Sequence, residues 1–229
     1  MADDEGVPTD EDEAESFDWV TGLSTGFEST DRWLGGLTPG SLVALVGDPD
    51  SPSEELLYPM ADANPTRYLS LLRSAAAVER HAESAGFDDF EVSETTSASL
   101  LDDPAGALSG LEPESLVVVD PATELEREGR ERYLAFLETL DRAVSTTESV
   151  AVLHCPRMNP RALQRDLTLV RADTVLELLV QRGSGDALGP RTRWFLTAEK
   201  RRLGRLPDDG QRFAFGHDGP EPIDTRELS

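Results

Sequence analysis

Apolar residues in this chain gather in short unbroken runs, at residues 42–46, 68–72, 116–119 and 150–153. Runs of this length without polar alternation predict strands covered on both faces, as in a parallel sheet. Between them the spacing changes to threes and fours. Over residues 130–144, Tyr133, Leu134, Leu137, Leu140 and Val144 fall on one face of a predicted helix. Strand alternating with helix implies right-handed crossovers and a layered α/β architecture. The last third reads differently. Residues 174–181 and 193–198 flank the turn-rich Gly183-Ser184-Gly185-Asp186, and residues 212–215 follow Pro207-Asp208-Asp209-Gly210, a pattern that predicts antiparallel hairpins. The expected fold is α/β, with a mainly parallel sheet and a C-terminal antiparallel extension, and no internal repeat is visible.

Composition places limits on function. The chain has 229 residues, 45 acidic side chains against 21 basic ones, and a formal net charge of −24. No apolar run reaches the roughly 18 residues that a membrane span needs, so no membrane partner is expected. A broadly basic nucleic-acid-binding face is excluded too, because that mode needs clustered cations to displace counterions from phosphates. Of the basic residues twenty are Arg and one, Lys200, is Lys. Dense carboxylates with lysine depleted resemble proteins of salt-loving archaea, and predict a high-salt cytoplasm. One cysteine, Cys155, excludes an internal disulfide and fits a reducing compartment. The N-terminus lacks the basic-then-apolar pattern of a secretory signal. Residues 1–16 hold eight acids and no base. They are expected to form a disordered acidic tail, because they offer too little apolar surface to offset the entropy of ordering. A globular domain over residues 17–218 and a C-terminal tail over 219–229 complete the expected organisation.

The first strand leads into Gly47-Asp48-Pro49-Asp50-Ser51-Pro52-Ser53-Glu54-Glu55, where nucleotide-binding α/β proteins carry GxxxxGK[ST]. In that motif glycines let backbone N–H groups converge on phosphate, lysine neutralises it, and a hydroxyl holds magnesium. Here Gly47 keeps the first position. Pro52, which has no N–H to donate, takes the second glycine's place. Ser53 stands at the lysine position and Glu54 at the hydroxyl position. Like charges at contact distance cost on the order of 1 kcal/mol even in water, so Glu54 and Glu55 would repel a polyphosphate. The simplest local reading is a strand-to-helix turn with Ser53 as N-cap and two glutamates in the first helical turn. Cation binding through Asp48, Asp50 and the glutamates is a second reading, and nucleotide binding by an unfamiliar geometry a third.

Residues 24–43, running Ser24-Thr25-Gly26 through Asp31-Arg32-Trp33-Leu34-Gly35-Gly36 to Gly40-Ser41-Leu42-Val43, are similar to the TGxxxLDxLLGGGxxxGSxxxV lead-in of RecA-type ATPase domains of the KaiC and RadA kind. The resemblance covers roughly residues 20–218 and implies a RecA-like three-layer sandwich. Residues 116–120 resemble a Walker B strand, whose Asp120 would order magnesium. Lys200 and Arg202 stand where KaiC-like proteins carry a K-x-R pair reaching the neighbouring subunit's nucleotide, and Phe213, Phe215 and Gly219 resemble the closing hairpin. The family's second strand ends in acidic residues that activate water, whereas this chain has Leu72 and Arg73, neither of which can act as a base at neutral pH. The lysine, the magnesium hydroxyl and the water-activating carboxylate are missing together. No cofactor is therefore expected, with ATP and magnesium as the alternative, and Asp120 is expected to be a relic at the sheet edge.

His154-Cys155 ends the fourth apolar run, on the side where α/β proteins bind ligands. With His81 and His217 elsewhere no zinc spacing arises, so no metal site is expected and a structural role is the simplest reading. Arg191, Arg193, Lys200, Arg201, Arg202 and Arg205 form the one basic concentration, read either as charge balance on two strands or as a docking strip for an acidic partner, a neighbouring subunit or nucleic acid, the last disfavoured because no aromatic beyond Trp194 is interleaved. The sequence thus points to a catalytically inactive RecA/KaiC-like module that binds a protein, such as a KaiC-like ATPase or a signalling protein, with homo-oligomers open. A residual ATPase and a recombinase-like DNA binder are the alternatives.

Overall fold

A computed structural model of the chain describes residues 22–186, 189–217 and 219–223. Nine strands form one sheet. They are β1 (Ser41–Gly47), β2 (Thr66–Ser70), β3 (Val92–Glu94), β4 (Leu116–Asp120), β5 (Val150–Pro156), β6 (Thr174–Asp186), β7 (Gly189–Arg201), β8 (Gln211–Gly216) and β9 (Gly219–Ile223). Their order is β3-β2-β4-β5-β1-β6-β7-β8-β9. All pairings from β3 across to β6 are parallel, and the last three are antiparallel. The helices are α1 (Glu28–Leu34), α2 (Leu57–Asp62), α3 (Ala75–Ser84), α4 (Ser97–Asp102), α5 (Pro104–Ala107), α6 (Thr123–Glu126), α7 (Arg130–Thr147) and α8 (Arg165–Arg171). A 3-10 turn, Pro52–Leu56, precedes α2.

The unbroken apolar runs follow from burial on two sides. In β1, Val43 and Leu45 join a core with Leu34, Leu57, Met60 and Val78 beneath α1–α3. Leu42, Ala44 and Val46 join a second core with Leu100, Tyr133, Phe136 and Leu140 beneath α4–α7. Because strand side chains alternate sides, a strand between two helical layers must be apolar at every position. The predicted α/β class and the parallel sheet with an antiparallel extension match this arrangement. In α7 the buried face is Tyr133, Phe136, Leu137, Leu140 and Val144, while Leu134 is half-buried.

Three boundaries and one short strand differ from expectation. The strand expected at residues 68–72 is β2, Thr66–Ser70, and Leu72 lies beyond it, 64% exposed. Gly183 through Asp186, read as a turn, belongs to β6, and the pairing continues through an irregularity to Asp186 opposite Gly189. The sheet does not stop at residue 218, because β9 pairs with β8 and sets Pro220 opposite Phe215 and Pro222 opposite Phe213 along the outer edge. The three-residue β3 carries a single inward apolar side chain, Val92, too little for a periodic signal. The acidic tail predicted for residues 1–16 and residues 224–229 lie outside the described residues.

Candidate functional site

The lead-in to β1 is a folded clasp. Asp31, 6% exposed, accepts from the Thr25 N–H at 2.6 Å, the Thr25 hydroxyl at 2.7 Å and the Ser24 hydroxyl at 2.7 Å. Gly26, at φ 85°, leaves no room for a Cβ against Pro59. The residues that carry the family resemblance therefore set the approach of the chain to β1.

The turn after β1 closes on itself. Ser51 bonds back to the Asp48 carbonyl through its N–H at 2.9 Å and its hydroxyl at 2.6 Å. A Cβ on Gly47 would stand 2.6 Å from Ser51 Oγ and from both Ser53 Cβ and Oγ, so these two side chains fill the space over Gly47. Ser53 is not the N-cap. Ser51 holds that position, without a side-chain cap bond, and the Ser53 hydroxyl turns inward.

Ser53 Oγ lies 3.0 Å from His154 Nε2, and His154 Nδ1 lies 2.6 Å from Asp120 Oδ1. Tyr68 donates its hydroxyl to the other Asp120 oxygen at 2.7 Å. Asp120 is not at the sheet edge: it ends β4, between β2 and β5, and is 4% exposed. Burial by itself would raise its pKa. The His154 hydrogen bond and attraction, with the Tyr68 hydroxyl and the Arg73 charge, outweigh that effect and hold the carboxyl below the ordinary aspartate value. Asp120 is thus an acceptor only, so Nδ1 carries a proton, and Nε2 makes the ring's second hydrogen bond with the Ser53 hydroxyl. Burial and the Asp120 charge push the Tyr68 phenol well above its usual value, which keeps it a donor. β2, β4, β5 and the turn after β1 are thereby joined by one buried polar chain.

The connectivity serine–histidine–aspartate is that of a nucleophile, base and orienting acid. Ser53 is only 2% exposed, however, so nothing the size of an acyl group reaches its hydroxyl. The chain serves to fasten the turn to the sheet.

Beside it, Glu54 pairs with Arg73 and accepts the Tyr58 hydroxyl at 2.5 Å. Burial and the Glu54 carboxylate push the Tyr58 phenol up. Glu54 and Arg73 occupy the positions at which the resemblance implied a hydroxyl and a carboxylate, and they neutralise one another. Burial also raises the pKa of Glu55.

Lys200 and Arg202 turn into their own subunit. Lys200 Nζ donates to the carbonyls of Leu169, at 2.8 Å, Val170, at 3.0 Å, and Ala172, and Arg202 donates to Val170 at 2.7 Å, at the C-terminal end of α8. Cations there complement unpaired carbonyls and the negative end of the helix. Arg201 bonds the Leu34 and Leu203 carbonyls. Arg193 is exposed, Arg205 pairs with Asp208 at 2.8 Å, and the side chain of Arg191 is outside the described set.

Cys155 is buried next to a second polar cluster. Arg165 donates to Glu126 at 2.7 and 2.8 Å, to the Cys155 and Pro156 carbonyls at 3.0 and 3.1 Å, and to the Thr123 hydroxyl at 3.1 Å. Burial drives the Cys155 thiol well above its usual pKa, so it is neither a nucleophile nor a ligand at neutral pH. Among the described residues no three His, Cys, Asp or Glu side chains gather so as to hold a metal ion, and no helix is long and apolar enough to cross a membrane. Asp48 pairs with Arg157 and Asp50 with Arg182, so the carboxylates of the turn face cations rather than one another.

Residues 22–217 match a family model described as "Family of unknown function (DUF7125)". No curated protein matches the chain. Among solved structures, a KaiC-like protein from the hyperthermophilic archaeon Pyrococcus horikoshii OT3 superimposes with a TM-score of 0.69, at 15% sequence identity, over 90% of this chain and 100% of that one. At that identity the likeness concerns the fold, which is the KaiC-like RecA arrangement.

Proposed function

Because the chain belongs to the DUF7125 family of unknown function and has a KaiC-like RecA fold, we propose that it is a catalytically inactive RecA/KaiC-like domain that acts by binding a protein partner. The observation that carries this reading is the filled turn after β1. A triphosphate with magnesium would need converging N–H donors, a lysine and a hydroxyl ligand. The residues present do not fit that group. Pro52 has no N–H, the Ser51 and Ser53 side chains fill the space over Gly47, and Ser53 is committed to His154. Glu54 puts a carboxylate at the metal-hydroxyl position, and its partner Arg73 replaces the water-activating acid. Asp120 accepts from Tyr68 and His154 instead of facing a water shell. The K-x-R cations cap α8 of their own subunit. A fold kept after such losses retains its surfaces, and a regulatory contact with an active KaiC-like ATPase or a signalling protein is the role those surfaces can still perform.

Calorimetry of the full chain with ATP and magnesium, in dilute and in molar KCl, tests the first half of the reading. No heat of binding is expected, and a dissociation constant on the order of micromolar would overturn it. Affinity capture at molar KCl tests the second half. Repeated recovery of a KaiC-like ATPase or a signalling protein supports it, and recovery of the bait alone counts against it.

A further inference from the structure

The groove between the C-terminal end of α1 and the β7–β8 connection shares no residue with the polar chain at the turn after β1. Its volume is about 780 Å³, within the range that ligand pockets occupy. Trp33 forms one wall, its ring fixed by an indole N–H that donates to the Asp209 carbonyl at 3.0 Å. Pro207 lines the groove too, and Leu203 and Leu206 of the same connection are 46% and 43% exposed. Apolar side chains left in water beside a fixed aromatic ring offer a second molecule area to bury.

The charge of the groove runs against that of the chain. Its lining holds three arginines, Arg32, Arg201 and Arg205, and two aspartates, Asp208 and Asp209, in a molecule with 45 acidic and 21 basic side chains. Arg201 is half-buried, and its hydrogen-bond partners are all neutral: the Leu203 carbonyl at 2.8 Å, the Leu34 carbonyl, and the Thr38 hydroxyl at 3.5 Å. Among the described residues no carboxylate offsets the burial that lowers its pKa. A guanidinium keeps its charge in proteins, so this one stands partly desolvated without a counter-ion, which an incoming carboxylate would supply. Arg32, on α1, and Arg205, in the β7–β8 connection, have side chains 64% and 85% exposed and pair with Glu28 and Asp208. Exposed pairs of this kind contribute little, so either guanidinium can exchange its partner for another carboxylate.

We propose that this groove is the docking site for an extended acidic segment of a partner protein, with carboxylates on Arg201, Arg32 and Arg205 and an apolar side chain between them against Trp33. The inference rests on the domain being a protein-binding module and names the chemistry of what it binds. Charge complementarity selects the occupant. A chain of net charge −24 repels acidic proteins at a distance, so it accepts one where cations locally outnumber acids. In strong salt charge alone would not hold the segment, because the screening length falls to about 3 Å at 1 M, and the contact needs the apolar side chain as well. Asp208 and Asp209 oppose the dense charge of a polyphosphate, whereas the backbone N–H groups of a peptide can donate to them.

A short fluorescein-labelled peptide of aspartate and glutamate around a central leucine, titrated with the full chain in dilute KCl and followed by anisotropy, tests the site. Saturable binding is expected. Charge reversal at Arg32→Glu with Arg205→Glu, both exposed and outside the core, is expected to weaken it by about tenfold or more. An amide form of the peptide, with asparagine and glutamine for the acids, probes the same charges on the unaltered chain and is expected to lose about as much. Serine in place of the peptide's leucine should also cost about tenfold. A titration that does not saturate overturns the proposal, as does equal binding of the amide peptide. Displacement of the peptide by oligothymidylate at lower concentration than by unlabelled peptide overturns it in favour of nucleic acid. These outcomes bear on the groove alone. Affinity capture that recovers a partner with the parent and the charge-reversed chain alike places the contact elsewhere and overturns the groove while protein binding stands, whereas capture of the bait alone counts against protein binding itself.

Discussion

Replacing His154 by leucine removes both ring nitrogens while keeping an apolar group in a site of similar volume, so the resulting loss measures chiefly the polar chain. Ser53 then loses its ring partner, and Asp120 keeps the Tyr68 hydroxyl at 2.7 Å in a position 4% exposed. An unpaired buried neutral group costs about 1–3 kcal/mol and a charged one more, which places the total at about 3–5 kcal/mol. At roughly 2–4 °C per kcal/mol for a domain of this size, the midpoint of thermal unfolding falls by about 6–20 °C. The pH dependence should also change sign. In the parent, Asp120 has a folded pKa below its unfolded value of about 3.9. Its contribution to stability is complete above that value and is lost as pH falls through the folded pKa. In the leucine variant burial dominates and the folded pKa rises above the unfolded one, so stability declines as pH climbs between the two. Urea unfolding followed by circular dichroism from pH 4.5 to 8, at constant KCl, reads both effects. A loss below about 1 kcal/mol, or a variant whose slope with pH equals the parent's, would refute the reasoning.

Arg165→Met should cost about 3–5 kcal/mol because it leaves Glu126, 0% exposed, without its cation; the double change with Glu126→Leu should recover most of this in a denaturation cycle, and additive losses would contradict the pairing. The native protein should not react with a thiol reagent at pH 8, since burial holds the Cys155 thiol protonated, whereas the unfolded chain should release one thiol; prompt native reaction would show the strand end opening. Lys200→Met removes a donor from the Leu169 and Ala172 carbonyls, while Val170 keeps Arg202, and is expected to lower stability by about 1–3 kcal/mol in urea unfolding; unchanged stability would release Lys200 for contact with a neighbouring subunit.

The elements that were legible in the sequence are those whose burial forces a pattern. β1, β4 and β5 lie between two helical layers and are apolar up to their carboxyl ends, and α7 shows its buried face as spacings of three and four. β3 and β9 leave no such trace, one being three residues with a single inward side chain and the other a run of Gly219, Pro220, Glu221 and Pro222 that reads as loop. The altered turn over Gly47 to Glu55 is visible in the residue types alone. Its fastening is not, because Ser53 and His154 are 101 residues apart and His154 and Asp120 are 34 apart, and local spacing carries no sign of either pair. The available signal is positional: His154 and Asp120 lie near the carboxyl ends of the adjacent parallel strands β5 and β4, and Ser53 follows the carboxyl end of β1 on the other side of β5. Lys200 shows the opposite case, a residue whose family position was readable while its carbonyl partners on α8 depend on the fold of the last hairpin.

The outer strand β9 has a bearing on how copies of this molecule can meet. Proline is admitted to a sheet only where its missing N–H faces away from the neighbouring strand, so Pro220 and Pro222 remove donors from the free border beside β8. At the opposite border β3 offers only three residues to a newcomer. Among the described residues, both borders are thereby blunted as templates for strand-by-strand growth. A sheet of nine strands built this way resists lengthening into fibrils or being completed by a stranger's strand, which favours its helices and loops as the places where another molecule can be met.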